Sequence, residues 1–139
     1  MITRNNPDVG YMDESTFALL GFSQVVRADG TVYYSGIAPF TGAPPEFTVI
    51  GTGSMEDQVL FCLDILERCL ESEKQTLDNL VAVTVYATDM PALMATAEIF
   101  AKRFGAAPPS STWLGVTELA HPDQLVEITA IAADLKMET

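Results

Sequence analysis

The sequence is short of the residues on which most metal sites and nucleophilic sites depend. Its 139 residues include one histidine and two cysteines. No Cys/His cluster has the spacing of a zinc site, so we expect no metal and no other cofactor. Cys62 and Cys69 lie in a region predicted to be helical, where their separation is about 10 Å along the axis. A disulfide bond cannot span that distance, and we expect two buried free thiols.

Positive charge is scarce as well. Seven Lys and Arg residues stand against nineteen Asp and Glu residues, which gives a net charge of −12. A field of that sign repels phosphate backbones, so we expect no nucleic-acid partner and no ribonuclease activity. No stretch approaches the roughly 18 apolar residues that a membrane span requires. We therefore expect no membrane partner and a cytoplasmic location.

The length and the apolar content limit the architecture. A chain of 139 residues has the usual size of one domain, and we expect a single domain over residues 1–139 whose first 15 or so residues form a flexible arm. Hydrophobic residues make up 48% of the chain. That is a high fraction for so small a domain, and it predicts that a partner subunit covers part of the surface.

The hydrophobic periodicity predicts an α+β fold of the order ββ(β)αβαββ. The first two strands form a hairpin, 22–27 and 31–37, around Asp29-Gly30, where a tight turn needs a positive φ. Residues 38–53 read as a mobile loop with a short strand at 47–50. The remaining predicted elements are a helix at 55–72, a strand at 79–88, a helix at 91–104, and strands at 111–119 and 124–134. A mixed sheet with both helices on one face is the simplest arrangement, with another copy of the chain on the other face.

Several segments, in this order and spacing, resemble the Rid (YjgF/RidA) family. They are GFSQVV (21–26), YSGIAPF (34–40), Gln58, LDNLVAVTVYATDM (77–90), Phe104, Pro109 and VEITAIA (126–132). The resemblance implies a chorismate-mutase-like subunit that forms a homotrimer. It also implies that a small-molecule substrate binds in clefts between the subunits.

Some of the family's site residues are matched in this chain. Ser35 and Gly36 match a Ser-Gly pair that lines the cleft, where glycine permits a close approach of the backbone to a ligand. Glu127 matches a glutamate that positions water. Tyr33 and Tyr34 point to opposite faces of their strand, so only one can face the cleft, and we assign Tyr34 to it.

Other family positions carry different residues here. Phe22 stands where a tyrosine usually supplies a hydroxyl, and Ala97 where an asparagine is common. Trp113 occupies the place of a cysteine or another small residue and is expected to reshape the cleft. Ser111 falls at the position of an arginine that holds the carboxylate of the substrate.

The loss of that arginine bears most strongly on the substrate. A guanidinium binds a carboxylate through two charge-assisted hydrogen bonds, each worth about 1.5–3 kcal/mol. Ser111 cannot replace them, so the sequence disfavours an imine derived from an amino acid. A neutral or aromatic imine or enamine fits Phe22 and Trp113 better.

The sequence leaves several functions open. The first is a hydrolase that deaminates an imine or enamine, with Glu127 as general acid and base. The second is a non-catalytic trimer that binds a small metabolite, with Glu127 as an ordinary strand residue. The third is a tautomerase, dehydratase or cyclase in the same cleft. A catalytic serine is not expected, because no histidine or lysine is placed to activate one, and His121 reads as an exposed turn residue.

Overall fold

The 18-residue helix α2 forms the centre of the core, packed against one face of a mixed β-sheet. The structure is a computed structural model that describes residues 1–135. In chain order the elements are β1 Ile2–Asn5, α1 Glu14–Leu20, β2 Val25–Ala28, β3 Thr31–Ile37, β4 Phe40–Ala43, β5 Glu46–Val49, α2 Met55–Ser72, β6 Leu80–Ala87, α3 Met90–Met94, α4 Ala97–Phe104, β7 Ser110–Gly115 and β8 Val126–Ala133. Within these residues, none of the helices has the length and apolar content to cross a membrane.

The sheet has six strands in the order β1-β2-β3-β8-β6-β7. Only β6 and β7 pair in parallel, while the other neighbours are antiparallel. The last strand along the chain, β8, lies in the middle of the sheet between β3 and β6. A separate two-stranded sheet is formed by β4 and β5. The predicted α+β fold with a mixed sheet is confirmed.

Helix α2 has the bounds that its sequence predicts. The Ser54 side chain caps it by accepting a hydrogen bond from the Asp57 N–H at 3.1 Å. The stripe of apolar residues is fully buried at Val59, Leu63, Leu66 and Leu70. This burial explains why the periodicity identified the helix correctly.

The two cysteines on α2 are buried free thiols, as expected. Burial raises the pKa of both and brings that of Cys69 to about 12. They are therefore protonated and unreactive at neutral pH.

The predicted helix at 91–104 is divided into α3 and α4. The break lies at Thr96, which is 5% exposed and whose N–H and hydroxyl both donate to the Leu93 carbonyl, at 2.9 and 2.7 Å. A threonine that bonds back to the preceding turn competes with continuous helix. Because of this break, Ala97 does not lie on the buried apolar face of the helices, and its side chain is exposed.

The beginning of the chain differs from the prediction of a flexible arm. Residues 2–5 form β1, which pairs with β2, and Glu14–Leu20 form α1. Helix α1 lies beside the β4–β5 hairpin, because Asp13 N–H and the Thr16 hydroxyl both donate to the Gly42 carbonyl. The four residues of β1 and the seven residues of α1 are too few to show a clear period in the sequence.

Two further predictions need correction. The loop at 38–53 contains the hairpin β4–β5 rather than one short strand. Strand β7 ends at Gly115, four residues earlier than expected, and it pairs with β6. The Asp29-Gly30 turn between β2 and β3 has the expected positive φ, which Asp29 adopts at 53°.

One face of the sheet lacks a covering layer within residues 1–135. Side chains of β8 alternate, with Val126, Ile128, Ala130 and Ala132 against the helices and Glu127, Thr129 and Ile131 on the other face. On that open face Tyr33 is 47% exposed, Leu114 45% and Ile131 38%. These exposed apolar side chains make the face suited to burial against another protein surface.

A buried hydrogen-bond network ties β3 to the end of α2 and the end of β8. The Tyr34 hydroxyl donates to Gln75 Oε1 at 2.7 Å, and Gln75 Nε2 donates to Asp134 at 2.8 Å. Arg27 donates to both Asp134 and Glu73. The hydrogen bond from Arg27 holds the pKa of the Asp134 carboxyl below its usual value. Tyr34 is thus a structural residue of the core.

We expect Tyr34→Phe to lower the free energy of unfolding by about 1–3 kcal/mol, because Gln75 Oε1 loses its donor inside the core. Urea denaturation at fixed protein concentration measures the change. Tyr33→Phe, at the exposed neighbour, is the matched control and is expected to change the stability by less than about 0.5 kcal/mol. Equal effects of the two substitutions would contradict a structural role for the Tyr34 hydroxyl.

Candidate functional site

A pocket of about 350 Å³ lies where β3 ends and β8 begins, beside the open face of the sheet that carries Glu127. Three parts of the chain enclose it: the segment before α1, the residues around the end of α1, and the β4–β5 hairpin. The lining residues are Tyr11, Met12, Leu20, Phe22, Ser35, Gly36, Ala38, Phe40, Phe47, Ala120 and Glu127. Four of the residues predicted for the site, Phe22, Ser35, Gly36 and Glu127, therefore lie together.

Glu127 supplies the only carboxylate of the pocket lining. Its Oε1 accepts a hydrogen bond from Gln124 Nε2 at 3.3 Å. Within residues 1–135, Oε2 receives no hydrogen bond, and Glu127 takes part in no ion pair. Within residues 1–135, the only buried side-chain oxygen or nitrogen without a hydrogen-bond partner is Gln24 Oε1. Because Glu127 Oε2 also has no partner, it is not buried and is accessible from the pocket. The second oxygen is free to bind water or a ligand.

Gly36 makes room for this carboxylate. The register between β3 and β8 shifts between Tyr34 and Ile37, and Gly36 lies in that irregular stretch. A Cβ atom at position 36 would stand 2.4 Å from Glu127 Oε2, which is far closer than two such atoms can approach. The φ angle of Gly36 does not lie in the left-handed region, so the backbone conformation does not require glycine. Glycine is needed because any side chain at position 36 would collide with that of Glu127.

Two buried glutamines fix the turn that leads to Glu127. Gln124 accepts a hydrogen bond from the Ala120 N–H at 3.1 Å and donates to the Val126 carbonyl at 3.1 Å. Gln58, on α2, accepts from the Leu125 N–H at 2.8 Å and donates to the Asp123 carbonyl at 2.9 Å. Both side chains are almost completely buried. They hold the start of β8, and with it Glu127, in one position.

Tyr11 is a pocket residue that the sequence did not reveal. Its side chain is 7% exposed, and its hydroxyl oxygen accepts a hydrogen bond from the Ala38 N–H at 2.8 Å. Burial is the main cause that raises its pKa, and the negative charge of Glu127 raises it further. The hydroxyl keeps its proton, and no acceptor for that proton is found within residues 1–135. It can therefore donate a hydrogen bond into the pocket.

The walls of the pocket are aromatic. The rings of Phe40 and Phe47, on β4 and β5, stack with centroids 4.8 Å apart. Phe22 packs edge-on against Phe17 of α1 at 5.1 Å. The β4–β5 hairpin and the segment at the end of α1 thus both contribute apolar surface to the pocket.

Ser35 has a structural bond in addition to its place in the lining. Its hydroxyl donates to the Ser23 carbonyl at 2.6 Å, and its N–H donates to the Gln24 carbonyl at 2.9 Å. The Gln24 side chain returns a hydrogen bond to the Ser35 carbonyl at 3.1 Å. These bonds fix the end of β3 next to Phe22.

Four residues predicted for the site do not line the pocket. Tyr34 is buried on the helix side of the sheet, in the network with Gln75. Ala97 is exposed at the start of α4. Trp113 packs on Phe100 of α4 with ring centroids 5.0 Å apart. Ser111 is exposed on β7.

The placement of Ser111 and Trp113 follows from the register of β7. In the parallel pair with β6 they lie opposite Val83 and Val85, whose side chains face the helices. The alternate residues Ser110, Thr112 and Leu114 share the face of Glu127. Ser110, one position before Ser111, is therefore the serine of β7 that lies on the Glu127 face. Positions 110 and 111 are both serine, so neither of them supplies a guanidinium.

His121 lies near the pocket without lining it. Its Nδ1 accepts a hydrogen bond from the Asp123 N–H at 3.0 Å, and its ring is 5.9 Å from that of Phe40. Within residues 1–135 no group of three or more His, Cys, Asp or Glu side chains is arranged to hold a metal ion. The chemistry available inside the pocket is that of one carboxylate and one phenol.

Replacing Gly36 with alanine is expected to displace the Glu127 carboxylate while the fold is kept. The clash falls on the end of a flexible side chain, so the stability should drop by only about 1 kcal/mol. The measurement is the ¹³C shift of the Glu127 carboxyl, which should change clearly. Gly30→Ala is the control, since a Cβ there meets nothing within 4 Å. An unchanged Glu127 signal in the Gly36→Ala protein would show that the carboxylate does not lie against Gly36.

Known proteins share this sequence and fold. The family described as Endoribonuclease L-PSP matches residues 13–134. RutC family protein PH0854 of Pyrococcus horikoshii is 31% identical over 111 residues, which cover 80% of this chain and 85% of the relative. Protein MMF1, mitochondrial, of Saccharomyces cerevisiae is 30% identical over 115 residues, covering 82% of this chain and 77% of the relative.

The crystal structure of yeast Mmf1 superposes with a TM-score of 0.81 at 24% identity and covers 97% of this chain and 100% of the yeast chain. RidA from the Antarctic bacterium Psychrobacter sp. PAMC 21119 superposes with a TM-score of 0.78 at 21% identity, covering 95% and 99%. These structures support the same fold. Since the family match extends over most of the sequence, the chain belongs to the Endoribonuclease L-PSP family, also called the YjgF/RidA family.

Proposed function

We propose that the protein hydrolyses a reactive imine or enamine, neutral or aromatic, and releases ammonia. The single observation that carries the proposal is the Glu127 carboxylate, which has a free oxygen inside a pocket walled by aromatic rings. Such a carboxylate can take a proton from water and return it to a nitrogen atom. A hydrocarbon-lined pocket with few polar groups suits a small apolar substrate.

The reaction needs one water molecule and one group that accepts and donates protons. Glu127 removes a proton from water while the water oxygen bonds to the imine carbon, and the carboxylic acid then protonates the nitrogen. In the resulting carbinolamine, Glu127 takes the hydroxyl proton and passes it to the nitrogen, the C–N bond breaks, and ammonia leaves. The products are a carbonyl compound and ammonia. The Tyr11 hydroxyl, in the same pocket, supplies a hydrogen bond that can hold the water.

The pocket disfavours imines that carry a carboxylate. No lysine, arginine or histidine is among its lining residues, and neither Ser110 nor Ser111 can form a bidentate pair with a carboxylate. An imine derived from an amino acid would place its negative charge in a pocket whose only charged group is Glu127. The substrate is therefore better sought among amines and ketones without an acidic group.

A non-catalytic binding protein is the second candidate. Glu127 and Tyr11 are the only titratable side chains that line the pocket, and Tyr11 keeps its proton. A pocket with so little acid–base chemistry also suits a metabolite carrier. Proton transfer at carbon, as in a tautomerase, requires no more than the same carboxylate.

Ammonia release from imines made in situ tests the proposal. An amino-acid oxidase supplies imines with a carboxylate, and an amine oxidase supplies uncharged aromatic ones, each with catalase present. We expect acceleration for the uncharged imines and a loss of about 10²–10⁴-fold in Glu127→Gln. Glu98→Gln is the control, since Glu98 lies on the surface of α4 and pairs with Lys102. If no imine is hydrolysed faster than in buffer, the protein is not an imine hydrolase.

We also propose that the open face of the sheet is buried in a homotrimer. The exposed side chains of Tyr33, Leu114 and Ile131 on this face support the proposal, and so does the resemblance to trimeric Rid proteins. The pocket opens on the same side of the sheet as this face. A neighbouring subunit would therefore close the pocket and shield it from water.

Light scattering is expected to give three times the single-chain mass of 15.0 kDa for the unmodified protein. Ile131→Lys should lower the mass towards that of one chain, because a charged group is then buried without a partner. Met94→Lys is the matched control, since Met94 is 57% exposed and lies on α3, away from the open face. A monomeric unmodified protein would exclude the trimer, and a trimeric Ile131→Lys protein would exclude this face as its interface.

A further inference from the structure

The ionisable groups that one chain brings to the pocket are of one charge type. Within residues 1–135, Glu127 is the one acidic residue of the lining, and none of the lining residues is basic. The cations of residues 1–135 lie elsewhere: Arg27, Lys102 and Arg103 form ion pairs, Arg68 donates to the Val9 carbonyl, and Arg4 and Lys74 do not line this pocket. From residues 1–135 of the chain that forms the pocket, a ligand thus meets a carboxylate and no basic side chain.

Within residues 1–135, the Glu127 carboxylate has no cationic counterpart. Gln124 donates a long hydrogen bond to Oε1, and Oε2 has no donor within residues 1–135. A partly buried carboxylate with a single neutral donor is incompletely solvated. A positively charged ligand would supply the missing partner, whereas a neutral ligand would supply at most a hydrogen bond.

The walls add to this preference. The rings of Tyr11, Phe22, Phe40 and Phe47 all line the pocket. The face of an aromatic ring carries negative potential and attracts ammonium and iminium groups, most strongly where water is excluded. Met12 and Leu20 complete an apolar lining that accepts a hydrocarbon substituent.

The charge of the whole molecule acts in the same direction. The chain has nineteen acidic and seven basic residues. Its negative potential raises the local concentration of cations and lowers that of carboxylates and phosphates. The electrostatics of the pocket and of the surface therefore agree.

We propose that the pocket selects a cation, the protonated form of an apolar aromatic amine or imine. The ammonium or iminium nitrogen pairs with Glu127, and the hydrocarbon part lies between Phe22 and the Phe40–Phe47 stack. This rests on the proposed function for its catalytic meaning. A bound iminium reaches the same carbinolamine when Glu127 takes a proton from the attacking water, and the nitrogen then keeps the proton it already carries. The binding preference itself does not require catalysis.

Three probes of similar size test the preference: benzylammonium, benzyl alcohol and benzoate. Calorimetric titration at pH 7 should give about tenfold tighter binding for benzylammonium than for the alcohol, and none for benzoate. Glu127→Gln should reduce the ratio of the two affinities to about one, whereas Glu98→Gln should leave it unchanged. Amide shifts in labelled protein should move at Gly36 and Ala38 on binding.

The inference is overturned if the alcohol or benzoate binds as well as benzylammonium, or if no probe binds. It is also overturned if the preference persists in Glu127→Gln, since the cation would then bind elsewhere. Cation preference without ammonia release would leave this inference standing and remove the hydrolase. Ammonia release without cation preference would support the hydrolase and overturn this inference.

Discussion

The contact between the Glu127 carboxylate and the backbone of Gly36 determines the shape of the candidate site. The carboxylate fits only because position 36 has no side chain, and it points into the pocket because Gln124 and Gln58 fix the turn before β8. This arrangement places a carboxyl group at the start of the central strand β8 and in the lining of a largely apolar cavity. Any chemistry of the protein in this pocket depends on that one group and on what the cavity admits.

The cavity is built largely by segments outside the central sheet. Tyr11 comes from the stretch before α1, and Phe40 and Phe47 come from the β4–β5 hairpin. These segments contribute a phenol and aromatic walls but no positive charge. The two β7 positions that could match the arginine of the resembling family, 110 and 111, are both serine. Within residues 1–135, the pocket lining thus has one carboxylate and no basic side chain, which is the basis of the proposed preference for uncharged or cationic ligands.

The sequence was most informative where one physical signal dominated. The spacing of Val59, Leu63, Leu66 and Leu70 predicted α2, because a helix against a sheet buries one stripe. Alternation predicted β6 and β8 for a similar reason. The sequence was less informative where short polar pieces rely on tertiary contacts, as in β1 and α1. The break at Thr96 was missed because it arises from a local hydrogen bond that the apolar period does not reveal.

By itself, the sequence determined the order of the main elements and the family. It also indicated that Glu127, Ser35 and Gly36 lie in one cleft, because all of these depend on local patterns and motifs. The tertiary structure alone decided which side of β7 faces the pocket, that Tyr34 is a core residue, and that Tyr11 reaches the site. The reason is that a shift of one residue reverses the direction of every side chain in a strand. Tyr11 lies far from Glu127 along the chain, and only folding brings the two into one cavity.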